Sequence, residues 1–541
     1  MTARASNKPA DAPGTAPSPT PASSAVLDSA HIGDIHGALG TVRVGDIGDR
    51  RGIKRRLLTL AAILGPGLIV MVGDNDAGGV ATYAQAGQDY GYSLLWVLLL
   101  LVPVLIVNQE MVVRLGAVTG VGHARLINER FGRGWGWFSV GDLFVLNFLT
   151  IATEFIGITL AAEYIGISKY LVVPLAAVAL IGMTVSGSFS RWERAMFAFI
   201  AISLLQIPML LMSHPQWGKA THHFLVPSIA GGATSDAVLL IIAIVGTTVA
   251  PWQLFFQQSN IIDKRITPRF ISYERADTVL GSAVVVIGAA ALMMTASYAA
   301  HAPGAGNFTD ALGVAHLLQS RSGVLGAIFA IVLMDASIVG AAAVTLSTSY
   351  AFGDVFGMRH SLHRSWRDAK KFYASYTALV LAAAAIVLIP DAPLGLITTS
   401  VQALAGLLLP SASVFLLLLC NDREVLGPWT NSRWLNILAS LIIAVLLLLS
   451  GILMASTLFP DLNVAQVSLV LAVVVCAGGI IAWLILQRLA RRRVASAPAD
   501  GGPNWAEQDR ITWRMPQLAL LKPVQWSPGL KLAMLALRGY L

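Results

Sequence analysis

The chain has 541 residues, of which 56% are hydrophobic and only 12% charged, with a mean hydropathy of +0.70. Soluble domains carry about twice that charged share, so one water-excluded core is ruled out and an all-α integral membrane protein is expected. The net charge of +8 reflects basic loops rather than nucleic-acid binding. Cys420 and Cys476 form neither a disulfide framework nor a cysteine metal site.

Residues 1–48 are rich in Ala, Pro, Ser and Thr and predict a disordered N-terminal tail without a cleavable leader. Windows of about 20 apolar residues then predict about 12 transmembrane helices. They fall at 57–85, 91–117, 137–165, 170–189, 193–213, 235–257, 276–299, 322–353, 371–390, 394–420, 434–457 and 465–488. With the N-terminus inside, the segments from Arg50 to Arg493 on the inner side hold 26 Lys and Arg, against 3 outside, Lys169, Lys219 and Arg321. That asymmetry predicts a cell-membrane protein with both termini in the cytoplasm. The expected organisation is a ten-helix core over 49–420, helices 11–12 over 421–490 and a cytoplasmic tail over 491–541.

Two of the twelve segments carry helix breakers at their middle. Helix 1 is interrupted at Gly73-Asp74-Asn75-Asp76-Ala77-Gly78-Gly79 and helix 6 at Gly246-Thr247-Thr248-Val249-Ala250-Pro251-Trp252. Unwound backbone survives in a bilayer only where it lines a cavity, and broken helices are how secondary transporters build ion sites. The two broken helices are five apart in order, an odd number, so they enter from opposite sides, as in an inverted five-plus-five repeat over about 57–213 and 235–420.

Asp76 admits two roles: an N-cap for the following half-helix, or a cation ligand. Its place at mid-membrane favours the ligand, because an unpaired carboxylate there is costly. Asp74 either faces the same vestibule or pairs elsewhere. Pro251 has no N–H and frees carbonyls in the preceding turn, including that of Thr247. Glu154 in helix 3 and Asp335 in helix 8 either relay ions or hydrogen-bond to a neighbouring helix. Gln402 in helix 10 is more often interhelical glue than a ligand. The ten histidines lie in tails, loops or helix ends, which argues against a histidine proton shuttle. No Walker A loop, H-E-x-x-H or G-x-S-x-G occurs, so an enzyme is not expected.

Over roughly 57–420 the chain resembles the Nramp family of divalent-metal transporters. The matching stretches are Gly65-Pro66-Gly67, Asp76-Ala77-Gly78-Gly79, Ala84-Gln85-Ala86-Gly87, Tyr90-Gly91-Tyr92-Ser93-Leu94-Leu95-Trp96, Arg114-Leu115-Gly116-Ala117-Val118-Thr119-Gly120 and Glu154-Phe155-Ile156-Gly157. The resemblance implies the leucine-transporter fold with a metal held between the breaks of helices 1 and 6. The family's Asp-Pro-Gly-Asn reads Asp76-Ala77-Gly78-Gly79 here, so the Asp ligand carries over and the Asn ligand becomes Gly79. Its Met-Pro-His reads Ala250-Pro251-Trp252, so the thioether is lost at Ala250 and the His at Trp252. Its Asp-x-x-Glu reads Ile151-Ala152-Thr153-Glu154, and a second family His falls on Gln257.

These replacements resemble the Nramp-related magnesium transporters. Thioethers favour soft transition metals, whereas carboxylate, carbonyl and water suit Mg²⁺ and Mn²⁺. Loss of the Met and Asn side chains is expected to enlarge the site for an ion that sheds water reluctantly. The expected activity is uptake of Mg²⁺ or Mn²⁺ by a uniporter, without proton coupling, cofactor or obligate protein partner. The candidate metal residues are Asp76, Gly79, Thr247 and Ala250, then Asp74, Trp252, Gln402 and Glu154. The alternatives are a proton-coupled Mn²⁺/Fe²⁺ symporter and an amino-acid or organic-cation carrier. Two acids in one break argue against a substrate that bears a carboxylate.

Overall fold

The computed structural model describes residues 29–459 apart from 47, 49, 51 and 391–393, then 466–479 apart from 476, and 507–522, 524, 531 and 534. Of the expected helix 12 over 465–488, the structure describes an apolar helix, Gln466–Gly479, and the remainder lies outside the described residues. Among the described residues nine helices are long and apolar enough to cross a membrane, or ten if one bent pair is counted as a span.

The first surprise precedes helix 1. The stretch read as the end of a disordered tail folds from Ser29 onward. A 3-10 turn, Ser29–His31, leads into a hairpin of β1 (Ile35–Gly37) and β2 (Gly40–Val42), registered Ile35↔Val42. Ile35 and Val42 are buried, and Gly37 sits so close to the Ala62 backbone that a side chain would not fit. Two buried side chains are too faint a period to stand out in a Gly- and Asp-rich sequence.

Helix 1 is three pieces rather than one helix with one break. α1 (Ile53–Ile63) meets α2 (Pro66–Val72) at 55°, and α3 (Ala77–Tyr90) follows the expected interruption. Gly65 makes the bend at φ +153°, which L side chains rarely adopt. Both helix ends at the bend are capped from far away in sequence. Asp277 accepts from the amides of Gly65 (3.1 Å), Gly67 (2.7 Å) and Leu68 (3.1 Å). Lys264 Nζ donates to the Ile63 and Leu64 carbonyls (2.8 and 2.7 Å) and to Glu193 (2.6 Å). Orphan amides and carbonyls at helix ends need such partners.

The core continues with α4 (Leu95–Thr119), α5 (His123–Phe131), α6 (Arg133–Tyr164), α7 (Lys169–Thr184), α8 (Phe189–Ser203), α9 (Gln206–Met212) and α10 (Trp217–Leu225). Helix 6 is α11 (Ser235–Thr248) and α12 (Pro251–Asp263), interrupted where Pro251 predicted. Then come α13 (Ile271–Ala299), α14 (Ala311–Arg321), α15 (Gly323–Phe356), α16 (Lys370–Val387), α17 (Leu394–Cys420), α18 (Arg423–Leu426) and α19 (Arg433–Leu458). Close approach at small residues brings the central helices together. Gly87 of α3 abuts the Met293 backbone of α13, Gly157 of α6 abuts Ser337 of α15, and Gly246 of α11 abuts the α17 backbone at Gln402 and Gly406. Farther along, Arg514 donates to the Ala117 carbonyl (2.7 Å), docking part of the C-terminal segment on α4.

Candidate functional site

The two interruptions face each other. Gln253, in the first turn of α12, donates its amide to Asp74 and to the Thr248 carbonyl (3.2 Å). Gln109 of α4 donates to Gln253 Oε1 (3.0 Å), which fixes that amide's orientation. Tyr83 of α3 bonds Thr248 of α11 through their hydroxyls (2.7 Å). The Trp252 ring lies against Gly73, where an added Cβ would be 3.2 Å from its Cη2. Carbonyl ends of α2 and α11 therefore point into one space, met by the amide ends of α3 and α12.

Asp76 is the N-cap of α3. Its backbone is extended and its Oδ1 accepts from the Gly79 amide (2.7 Å). Glu154 of α6 joins the same helix end, Oε2 accepting from the Ala77 amide (3.0 Å). The Asp76 and Glu154 carboxyls thus meet at one buried helix end, each accepting from one of its amides. Gly340 of α15 backs the pair: a Cβ there would come within 2.7 Å of Glu154 and 2.8 Å of Asp76. Capping and ligation are thus compatible, since the cap uses one Asp76 oxygen.

Gly79 is enclosed rather than open. A Cβ at that position would stand 2.6 Å from the Asp74 carbonyl oxygen and 3.3 Å from Thr247 Oγ1. The space expected from loss of the Asn side chain is filled by the chain's own carbonyl. Beside it lie Thr247, whose carbonyl has lost its helical donor to Pro251, and the Gln402 amide, which covers Gly78. Ala250 is the extended, buried residue between α11 and α12 and caps nothing with its side chain. Asp74, Asp76, Gly79, Thr247, Gln402 and Glu154 therefore converge, while Ala250 and Trp252 form the α12 edge.

Buried polar atoms around this space without a hydrogen-bond partner in the protein include Asp74 Oδ2, Thr247 Oγ1, Gln402 Nε2, Glu154 Oε1 and Gln109 Oε1. A flip of the Gln402 amide would present oxygen instead. Buried polar atoms are normally paired, so such a concentration marks a place for water or a polar ligand. Among the described residues no group of three or more His, Cys, Asp and Glu side chains is arranged to hold a metal ion. The donors here are two Asp carboxylates plus hydroxyl, amide and carbonyl groups.

Sequence reasoning missed Gln253, Gln109, Tyr83 and Thr248, which tie the interruptions together. Amides and hydroxyls inside apolar segments were the available signal. Asp335 does not join the site; its Oδ2 accepts from Ser203 at the end of α8 (2.6 Å).

A family model described as natural resistance-associated macrophage protein-like matches residues 67–456. The divalent metal cation transporter MntH of Ralstonia nicotianae is 29% identical over 409 residues, covering 72% of this chain and 89% of that protein. MntH 1 of Pseudomonas aeruginosa is 28% identical over 398 residues, covering 71% and 89%. A crystal structure of the Eremococcus coleocola manganese transporter, in complex with an aromatic bis-isothiourea substituted compound, matches with a TM-score of 0.61 at 21% identity. It covers 83% of this chain and 99% of the other, so the fold is shared. With its facing helix interruptions and a family match across most of its length, the chain belongs to the Nramp family and is a multi-pass helical membrane protein of the leucine-transporter fold.

Proposed function

We propose that this protein carries a hard divalent cation, Mg²⁺ or Mn²⁺, into the cell by alternating access and without proton coupling. Divalent-metal transport is the activity named for its relatives, and the family membership supports that class here. The finer reading rests on one observation: the unpartnered oxygens of Asp74 and Thr247 lie beside Asp76 where the helix interruptions meet. Oxygen donors suit Mg²⁺ and Mn²⁺, and the Met thioether is replaced by Ala250. Mg²⁺ usually keeps several waters and takes one or two carboxylates, which fits a site with more hydroxyl, amide and carbonyl groups than acids. Asp76 and Asp74 supply the charge, Thr247 and Gln402 hold hydrating water, and Trp252 closes one side.

Uptake fits a cell-membrane location with cytoplasmic termini, where an inside-negative potential favours a dication by about 4.6 kcal/mol per 100 mV. Ile151 and Trp252 replace two titratable groups of the family pattern, which supports passive transport. One feature favours the second reading, a proton-coupled Mn²⁺/Fe²⁺ symporter: Asp76 and Glu154 place two carboxyls at one buried helix end, where a proton carried by either would leave as the metal arrives. The two separate in proteoliposomes by competing Mg²⁺, Mn²⁺, Ca²⁺ and Fe²⁺ at two pH values with a pH dye in the lumen. Mg²⁺ and Mn²⁺ should compete with each other while lumen pH stays constant. Acidification in step with influx establishes the symporter, and no metal flux at all removes both.

A further inference from the structure

A cavity of about 240 Å³ lies away from the helix interruptions, between the end of α6, α8 and α15. Its walls are apolar and include Ala161, Phe199, Ala330, Ile331 and Met334, with Asp335 as the one acid. Ile331 is 48% exposed on a membrane-spanning helix, so the cavity opens on the lipid-facing side of the bundle, with Ile165 at the end of α6 marking its outer edge. Asp335 is only 3% exposed, its Oδ2 accepts from Ser203, and its Oδ1 is buried with no partner in the protein.

A carboxyl with an unmet oxygen inside the hydrocarbon layer is costly and marks a functional position by default. The surroundings state what would satisfy it. The partner must be a hydrogen-bond donor, best a cation, and the rest of the molecule must be apolar. Asp335 lies twelve residues along α15 from Gly323 (335 − 323), about 18 Å at 1.5 Å per residue. That is deeper than a phospholipid headgroup sits, given about 5–8 Å of polar region outside each face of the hydrocarbon core. The volume is below the roughly 300–1,000 Å³ of drug-sized sites, which leaves room for a fragment.

The geometry points to a binding site for a small lipophilic amine, its ammonium hydrogen-bonded to Asp335 and its alkyl or aryl body lying among Phe199, Ala330 and Met334. Entry is from the bilayer. An occupant would wedge α8 from α15, the helix whose Gly340 backs Asp76 and Glu154 five residues on, and so would restrain transport.

The test uses the full chain in lipid nanodiscs and two photoreactive probes of equal length, an eight-carbon primary amine and the matching alcohol, each with a terminal diazirine. The amine should label peptides that contain Phe199 and Met334 at least tenfold more than the alcohol does. Asp335→Asn should bring amine labelling down to the alcohol level. Ala330→Leu, which fills the cavity and keeps the carboxyl, should lower labelling by the amine as well. Equal labelling by both probes in the unaltered protein, or amine labelling that survives Asp335→Asn, overturns the proposal and leaves a groove for any alkyl chain. Labelling does not depend on ion flux, so it decides the matter even if Asp335→Asn is inactive and whatever the transported ion proves to be.

Discussion

The interruption between α2 and α3 spans Gly73–Asp76 and carries two carboxyls; the one between α11 and α12 spans Val249–Ala250 and carries none. Both expose helix ends, and both occupy corresponding places in the two halves. Their chemistry differs because their breakers differ. Glycines and an Asp cap loosen the first and leave charge there. A proline breaks the second by removing one N–H, and it leaves a carbonyl and a shape. A repeated backbone can thus be divided between a charge-bearing half and a half that sets fit, and the substitutions that retune an ion site need touch only one of them.

That division can be broken most severely at Asp76. Asp76→Ala should abolish metal influx and cost about 1 kcal/mol of stability through the lost cap. Asp76→Asn keeps a capping oxygen, so it should be equally inactive at nearly unchanged thermal stability. Transport by the Asn variant at more than a tenth of the normal rate would show that the carboxyl serves only as a cap. Next in size is Gly79→Asn, which restores the family's ligand on the charged side. The Asp74 carbonyl 2.6 Å from the new Cβ must shift. We expect a loss of about 1–3 kcal/mol from overpacking, seen as a lowered melting temperature, with reduced influx. An unchanged melting temperature would mean that this loop yields freely.

Ala250→Met tests the fit-setting side. A thioether here should raise uptake of Cd²⁺ relative to Mg²⁺ about tenfold, close to 1.4 kcal/mol in discrimination, without abolishing Mg²⁺ flux. An unaltered ratio would place Ala250 outside the ion's reach. The smallest effect concerns the loop after α15. Burial pulls the His360 imidazole down, but the Asp354 carboxylate beside it wins, and its pKa lies above the usual value. A raised folded pKa stabilises below the unfolded value of about 6.5, and that contribution is lost as pH rises through the folded one. Protection of residues 357–369 from a protease should therefore be greatest near pH 6 and fall at alkaline pH, and His360→Gln should flatten the profile.

How much of this was legible in the sequence varied with the range of the interaction. Gly and Pro in apolar runs located both interruptions, and Asp76 stood out because charge at mid-membrane is rare. The bend at Gly65 was invisible, since its caps come from Asp277 and from Lys264, itself held by Glu193, all more than a hundred residues away. Gly79 was read as added room because a sequence reports which side chain is missing, not which carbonyl moves into its place. The link between the interruptions runs through Gln253 and Gln109, neutral side chains whose periodicity gives no sign of a partner on another helix. Asp335, singled out by the same rule as Asp76, proved to belong to a different cavity.

The hairpin ahead of α1 has a consequence for how the protein is made. Ala30 and Asp34 accept from Arg265, and the Ala38 amide donates to Glu193, contacts that reach across 235, 231 and 155 residues of chain. The ribosome delivers this hairpin first and its anchorage much later, after half the bundle has been threaded into the bilayer. Until the chain beyond α12 emerges, the segment has only α1 and Glu193 of α8 to rest on, and the surface it completes stays unfinished. Such distant pairings are slow to form, so maturation of that surface is set by the arrival of Arg265 rather than by the first residues translated.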